Sequence, residues 1–438
     1  MENSIQNILN HCCQELKSLV QLPLSFLILF FIGITPSSSG QPFSNPNILP
    51  LGDDEPLMAN TGTGGLESNG SVYYNPAALA MLKGNSFALT GTAYLLFSFE
   101  SNPIARIENN NLNYSGKGFR TIPTSLIIVR RFKELRLAFS VLQPQQFDFE
   151  GPYSWQVPIS NDILNFDMNQ NYSERMQLIG LSAARPVNEH WSVGLSAYAQ
   201  NYAYLAALNF RGALTSLPET INTIEERHKR TSLHMLLIAG IHRTSPDWNL
   251  GLRLSLPNIR ISSNGTYHYY EYNNLDGAGN VKVTYIDYDK LQTHIKTPFD
   301  IRLGMTLTKL KNWTLAMDVS YGLGVKYRVY NVPSLPDSID ANATYRISLG
   351  AERVLNKTFS LHAGGSYNPT STNILNGEYK IENWSVVGGV KLSTEHIVYY
   401  LGYFYALGKS DNNPLVGGGN SEDIEKYNGI FFGTKYRF

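Results

Sequence analysis

Every second residue from Trp313 to Tyr327 is apolar: Trp313, Leu315, Met317, Val319, Tyr321, Leu323, Val325 and Tyr327. The positions between them include Thr314, Asp318, Ser320, Gly322, Gly324 and Lys326. A period of two is the mark of an extended strand with one greasy and one polar face. Its length of roughly sixteen residues exceeds the usual 5 to 6 of a globular strand and suits a tilted, membrane-crossing one. Phe299, Ile301, Leu303, Met305 and Leu307 repeat the pattern, set against Asp300, Arg302, Gly304 and Thr306. The chain closes the same way. Ile430, Phe432, Thr434, Tyr436 and the final residue Phe438 share one face, with Gly433, Lys435 and Arg437 on the other.

Such stretches predict roughly fourteen strands beyond about residue 85. Tight turns fall near Lys133, Asn188, Pro246, Lys311, Asn356 and Thr394, and long polar loops follow Phe99, Phe149, Phe210, Tyr270, Tyr330, Asn368 and Ser410. Short and long connections alternate. Seven loops and six turns are what a fourteen-stranded antiparallel barrel requires when both ends lie in the periplasm. The expected fold class is therefore all-β, a closed transmembrane barrel spanning 85–438. A soluble sandwich would need a second sheet over each apolar face, and the opposite faces here carry Gly, Ser, Thr and charge. The terminal Tyr436 and Phe438 match the signature by which outer-membrane barrels are recognised for assembly, so the barrel assembly machinery is an expected partner through the last strand.

Composition narrows the class further. Lys plus Arg number 35 and Asp plus Glu 35, which leaves no basic surface for nucleic acid. Mean hydropathy is −0.19, too low for a helical membrane bundle yet compatible with a barrel, whose apolar residues are diluted by alternation. One run, Leu22 to Thr35, is continuously apolar and is followed by small residues. It predicts an export signal over 1–40, cleaved near Gly40. Cys12 and Cys13 lie upstream of it, so the exported chain carries no thiol, disulfide or cysteine metal site.

Residues 41–84 do not alternate and predict a small, partly helical plug. Asn75 suits a helix cap, Pro76 and Ala77 the first helical turn, and Gly84 a left-handed stop. The Gly-rich run at Gly62–Gly65 lacks the Lys-Ser/Thr of a phosphate loop. The string SVYYNPAALA, Ser71 to Ala80, resembles the Asn-Pro-Ala signature of the FadL/TodX family of outer-membrane transport proteins. Segments from Trp248, Thr297 and Tyr345 are similar in style. The resemblance implies a fourteen-stranded barrel, closed by an N-terminal hatch, that carries long-chain fatty acids or other hydrophobic molecules across the outer membrane. It implies no cofactor.

Three groups of residues are candidates for that task. Leu217, Ile221 and Ile224 fall at i, i+4 and i+7 and predict an apolar helical stripe on an external loop, either packed on its neighbours or open to a ligand. A turn centred on Lys133 and Glu134 sets Pro123 opposite Pro144. Two facing prolines remove ladder donors and weaken the wall there, where the resemblance implies a lateral gate towards lipid; a simple bulge is the alternative. Arg253, Arg302 and Arg346 point inward by parity, and either hold an anionic head group or pair with Asp300, Asp318 or Glu352. The tyrosines between Thr266 and Tyr272 read as an outer aromatic girdle, and His362 as a hydrogen-bonded lumen residue. Neither His-Glu-x-x-His nor Gly-x-Ser-x-Gly occurs, so no catalytic or metal site is expected. Two other functions fit such a barrel: a PorV-like component that binds secreted proteins, and a general diffusion porin.

Overall fold

The structure, a computed structural model, describes residues 49–107, 110–159, 162–215, 221–273, 281–335, 338–374, 377–414 and 420–438. The expected export signal, the first part of the predicted plug and Leu217 lie outside the described residues. Nineteen strand segments make one continuous antiparallel wall. They are β1 (Ser86–Ile107), β2 (Asn110–Phe132), β3 (Leu135–Ile159), β4 (Asp162–Pro186), β5 (Trp191–Leu214), β6 (Ile221–Thr244), β7 (Trp248–Ser255), β8 (Ile259–Asn273), β9 (Lys282–Leu291), β10 (Asp300–Leu307), β11 (Trp313–Gly322), β12 (Val325–Arg328), β13 (Ser338–Ala341), β14 (Thr344–Val354), β15 (Phe359–Tyr367), β16 (Thr370–Ile374), β17 (Gly377–Ser393), β18 (Ile397–Pro414) and β19 (Asn420–Arg437). Five pairs of segments, from β7–β8 to β15–β16, are single crossings broken once. The count of crossings is therefore fourteen. The wall closes where β1 pairs with β19, from Ser86↔Arg437 to Asn102↔Glu422. Closure leaves no backbone edge for lipid to face.

The six tight turns lie where the pattern placed them. The outer connections differ, because β1 to β6 run for 22 to 25 residues each. Much of what reads as polar loop after Phe99, Phe149 and Phe210 is strand paired to its neighbour. Polar residues alternate on both faces there, and an alternation without an apolar face looks like loop in sequence.

The broken crossings have a common geometry. Between turn and break, β7, β10, β11, β14 and β15 hold 8, 8, 10, 11 and 9 residues. A tilted strand needs about 9–11 residues to cross the hydrocarbon layer. Irregular backbone is not tolerated against lipid tails, so the breaks mark the outer membrane–water boundary. Below them the outer surface is apolar: Leu181, Leu195, Leu361, Leu401, Phe432 and Phe438 are all exposed. Ile430, Phe432 and Tyr436 face outward as the alternation requires, while Lys435 is buried inside.

The break also reverses a face. Trp313 and Leu323 are exposed on the outside, yet Tyr327 and Val329, on the same parity, line the lumen. The sixteen-residue alternation is one strand in sequence and two segments in space. Tyr267, expected in an outer girdle, is likewise buried, packed with Leu291, Val329 and Tyr330.

Candidate functional site

Residues 49–84 fill the lower lumen. They form a 3-10 turn at Glu55–Met58, one helical turn at Ser71–Tyr74 and a 3-10 helix at Pro76–Met81. Asn75 caps the last as expected, its Oδ1 accepting from Ala77 N at 3.1 Å. The predicted stop does not occur: Leu82 ends the helix in an extended conformation, and Gly84 has no left-handed φ. Leu82 is buried, and its carbonyl accepts from Arg136 Nε at 2.6 Å. A wall contact ends the helix in place of a glycine cap.

Asn75 has a second task. Its Nδ2 donates to Thr63 O at 2.8 Å and to Ile241 O on β6 at 3.1 Å. One side chain ties two parts of the inner segment to the barrel. The wall makes room with glycine: a Cβ on Gly240 would strike Asn75 Oδ1, one on Gly194 would strike the Pro76–Ala77 backbone, and one on Gly251 would strike Thr63 O. The Gly-rich run also receives an anion after all. Asp318 on β11 accepts from Gly62 N at 3.0 Å, Thr63 N at 3.1 Å and Thr63 Oγ1 at 2.8 Å. The amides gathered by the glycines are satisfied by the protein's own carboxylate.

Ion pairs hold the other side. Lys435 Nζ lies 2.8 Å from Asp53, and Lys391 Nζ lies 2.8 Å from Asp54 and 2.6 Å from Glu352. Glu352 also lies 3.4 Å from His362, as the parity of both residues predicts. Glu55 is fully buried, with Ser68 Oγ 2.6 Å from its Oε2. Burial, and then the neighbouring Asp53 carboxylate, push the Glu55 carboxyl well above its ordinary value. The docked segment therefore keeps a proton that an undocked Glu55 loses near pH 4.3. Docking is fully favoured below that pH and weakens as pH rises towards the raised value. Protection of residues 49–84 from protease is expected to fall as pH rises above the ordinary carboxyl range in the intact protein. In Glu55→Gln it is expected to stay level; an unchanged slope in the variant would refute the assignment.

Above the inner segment the lumen has two linings. Against β1, β2, β3 and β19 it is aromatic. Leu95, Phe97, Tyr114, Ile122, Phe149 and Tyr427 are buried there, with Phe99, Phe147 and Tyr153 beside them. This apolar lining is not legible in the alternation, because the irregularity between Thr92 and Tyr94 reverses the face of β1. Leu95 and Phe97 turn inward, whereas Leu89 on the same parity is exposed.

The same region holds the two prolines. Backbone pairing of β2 with β3 runs from Phe132↔Leu135 to Ser125↔Leu142 and stops. Two steps beyond that last pair, the same register would set Pro123 opposite Pro144. β3 is also bulged against β4 between Leu142 and Gln145, so the bulge and the wall weakness occur together. Above the stop, side chains alone bridge the seam: Arg120 Nε to Asp148 Oδ2 at 3.3 Å, Trp155 Nε1 to Asn113 O at 3.0 Å, and Tyr114 against Phe149 at 5.7 Å between ring centres. Eight paired residues separate the turn from the seam, fewer than the 9–11 of a full crossing, so its start lies just inside the outer boundary of the membrane.

Against β4 to β7 and the broken crossings lies a cavity of about 330 Å³, lined by Tyr73, Pro144, Tyr172, Glu174, Tyr202, Arg230, Arg302 and Tyr327 among others. The three predicted arginines meet at its floor. Arg253 Nη1 donates to Asp300 Oδ1 at 2.8 Å, Arg346 pairs with the other oxygen of the same carboxylate, and Arg302 lies over the Tyr74 ring at 5.7 Å. Asp300 thus serves two of the three guanidiniums.

The apolar stripe does not form as a helix. Ile221 and Ile224 lie on β6, opposite Ala213 and Phe210, so the segment is paired strand rather than helix. Cross-strand pairing with β5 and β8 outweighs the helical spacing, in a segment whose Ile and Thr favour a pleated surface. Arg230, on the same strand, was outside the residues singled out by sequence. Inward parity on β6 is the signal that locates it.

A closed fourteen-stranded barrel with a buried inner segment, an aromatic lumen and a wall seam defines a class of membrane-spanning fold. No family model matches the chain, and no curated protein sequence does. Solved structures do share its fold. The chain is similar to a Pseudomonas aeruginosa FadL homologue over 92% of its length and 100% of that chain, at 13% identity and a TM-score of 0.59. It is similar to the P. putida toluene transporter TodX over 88% of its length and 97% of that chain (14% identity, TM-score 0.57). The Ralstonia pickettii toluene transporter TbuX matches over 90% and 99%, at 13% identity and a TM-score of 0.54. The chain has the FadL-type barrel fold, and two of these neighbours are named as toluene transporters.

Proposed function

We propose that this protein is an outer-membrane channel for passive uptake of hydrophobic small molecules, either long-chain fatty acids or aromatic hydrocarbons. The observation that carries the proposal is the aromatic lumen wall from Leu95 to Phe149, which ends at the proline seam above a filled lower barrel. An apolar solute meets greasy side chains along that path where a porin offers water. Residues 1–40 act as the export signal, and the segment up to Gly84 acts as the hatch, with Asn75, Pro76 and Ala77 as its anchor. The seam at Pro123 and Pro144 acts as a lateral gate, through which solute passes into outer-membrane lipid without crossing periplasmic water. The last strand carries the signal read by the barrel assembly machinery. Ile221 and Ile224, now on a strand near the outer rim, contribute to capture.

Two neighbours are named as toluene transporters, which supports the aromatic-hydrocarbon class. The aromatic lining argues against the PorV-like alternative, which needs no apolar lumen, and the filled lower barrel argues against a general porin.

Uptake of radiolabelled oleate and toluene by cells that carry the protein tests the proposal; uptake no faster than in cells lacking it ends it. In Pro123→Val/Pro144→Val the β2–β3 ladder regains its donors and is expected to close upward. Oleate uptake should then fall several-fold while binding to purified protein persists. Unchanged uptake would remove the gate from the scheme.

A further inference from the structure

The outside of the wall has a polar surface of its own above the membrane. Tyr172 and Glu174 of β4, Tyr202 and Tyr204 of β5 and Arg230 of β6 line the lumen. The ladders joining these strands run without a shift from Leu164↔Leu214 to Pro186↔Ser192 and from Ala213↔Ile221 to Trp191↔Arg243. Odd-numbered residues therefore point outward. Three of them are exposed cations: Arg175 on β4, and Arg227 and Lys229 on β6. Their neighbours on the strand between are Ala203, Ala207 and Leu205, so no acid lies directly opposite. Asp148, close by on β3, is already held by Arg120 Nε at 3.3 Å and Ser173 Oγ at 2.5 Å. Among the described residues the three cations enter no ion pair. Elsewhere in the upper wall Lys282, Lys326, Lys380, Lys409 and Lys426 each have a carboxylate partner.

Height gives the row its surroundings. Arg175 lies eleven residues before Pro186, the turn end of β4, and a crossing uses about 9–11. It stands where the hydrocarbon layer gives way to head groups. Arg227 and Lys229 lie beyond it, two strand spacings or roughly 10 Å to the side, with Ala203, Leu205 and Ala207 as a low floor between. Further out the same face is hollowed into a cleft of about 430 Å³, whose outward side chains include Asp167, Asn169, Asn209, Arg211 and Glu225. Asn169 is opposite Asn209, and Asp167 is opposite Arg211. Asp167 accepts from Ser154 Oγ at 2.6 Å; the other four side chains have no hydrogen bond among the described residues. Amides, carboxylates and a guanidinium side by side present donors and acceptors together. Sugar hydroxyls, each both donor and acceptor, match that mixture, and an acyl chain does not.

We infer that this outer face binds lipopolysaccharide, the phosphorylated glycolipid of the outer leaflet, with its phosphates on Arg175, Arg227 and Lys229 and a core sugar in the cleft. Charge and order along the wall select the occupant. Phosphate accepts paired N–H bonds from guanidinium groups, and clustered cations at a membrane surface retain anionic head groups. The phosphates of this lipid lie next to the hydrocarbon layer and its core sugars lie further out, the same order as the cations and the cleft. The site is on the outside of the barrel, so it stands or falls separately from the uptake reading.

The test uses full-length protein in detergent, with lipid binding read by native mass spectrometry. The probes are rough lipopolysaccharide, the same lipid stripped of phosphate, lipid A without core sugars, and phosphatidylglycerol. Rough lipopolysaccharide is expected to bind at least about tenfold more tightly than phosphatidylglycerol or the stripped lipid. Arg175→Gln/Arg227→Gln/Lys229→Gln should erase that margin, whereas Lys409→Gln/Lys426→Gln, which alters paired cations elsewhere on the wall, should keep it. Asn169→Leu/Asn209→Leu should weaken binding of rough lipopolysaccharide and leave that of lipid A unchanged. Equal binding of lipopolysaccharide and phosphatidylglycerol overturns the glycolipid assignment. Undiminished binding of the stripped lipid, or a margin that survives the triple substitution, overturns the role of the cations. An unaltered affinity in the asparagine variant overturns the sugar subsite. Gel mobility of each variant before and after heating shows that its barrel is folded, so a loss of binding reports the site and not the fold.

Discussion

Removal of residues 49–84 is expected to turn a nearly silent barrel into an open pore, with ion conductance in planar bilayers raised at least about tenfold. The inner segment is buried almost throughout, and beside an apolar patch at Ile127, Val129 and Leu178 the wall facing it carries polar groups: Ser192, Ser196, Tyr198, Asp318, Lys391 and Lys435 all contact it. Without the segment those groups face water, which fills the space they line. The barrel itself should persist, since its ladder from β1 to β19 is closed on its own. Conductance equal to that of the intact protein would mean that the segment blocks nothing.

Gly251→Leu is expected to expel the same segment without shortening the chain. A Cβ at this position would meet the carbonyl of Thr63 and, at 2.6 Å, the amide of Asn75. Both belong to the contact that Asn75 makes between the inner segment and β6. Overpacking a well-filled interior commonly costs about 1–3 kcal/mol. Here the nearest obstructed atoms, those of the Thr63 carbonyl, are backbone, which has no rotamer to escape into, and the loss of the Asn75 hydrogen bonds adds to the cost. Docking should weaken by at least about 3 kcal/mol, seen as protease cleavage between residues 49 and 84 and as a leak approaching that of the deletion. Gly365→Leu, whose nearest contact is a wall carbonyl at 3.4 Å, supplies the comparison and should leak little. Equal effects from both substitutions would show that the barrel, not the docking, had been damaged.

Particular residues show how far alternation reads and where it stops. Phe432 and Tyr436 face outward and Lys435 and Arg302 inward, because parity is preserved along any unbroken ladder. Tyr327 and Tyr267 went the other way. A break at Leu323–Gly324 or an irregularity at Thr92–Tyr94 changes parity by one residue, and a period of two has no memory across such a step. The helical stripe at Ile221 and Ile224 failed for a different reason. Local spacing carries no information about the partner strand that captures a segment.

The sequence by itself determined the architecture: a closed antiparallel barrel of fourteen crossings, its greasy face, its turns, and the segment that breaks the pattern. Those features follow from the period of side chains and the demand that every backbone group in lipid be paired. Only the tertiary structure decided what the lumen is made of. Whether Phe97 faces lipid or lumen, which carboxylate occupies the glycine-rich turn, and which arginines share Asp300 depend on distances between strands remote in sequence. Pairing of charges is a property of three-dimensional neighbours, and no pattern along one strand records it.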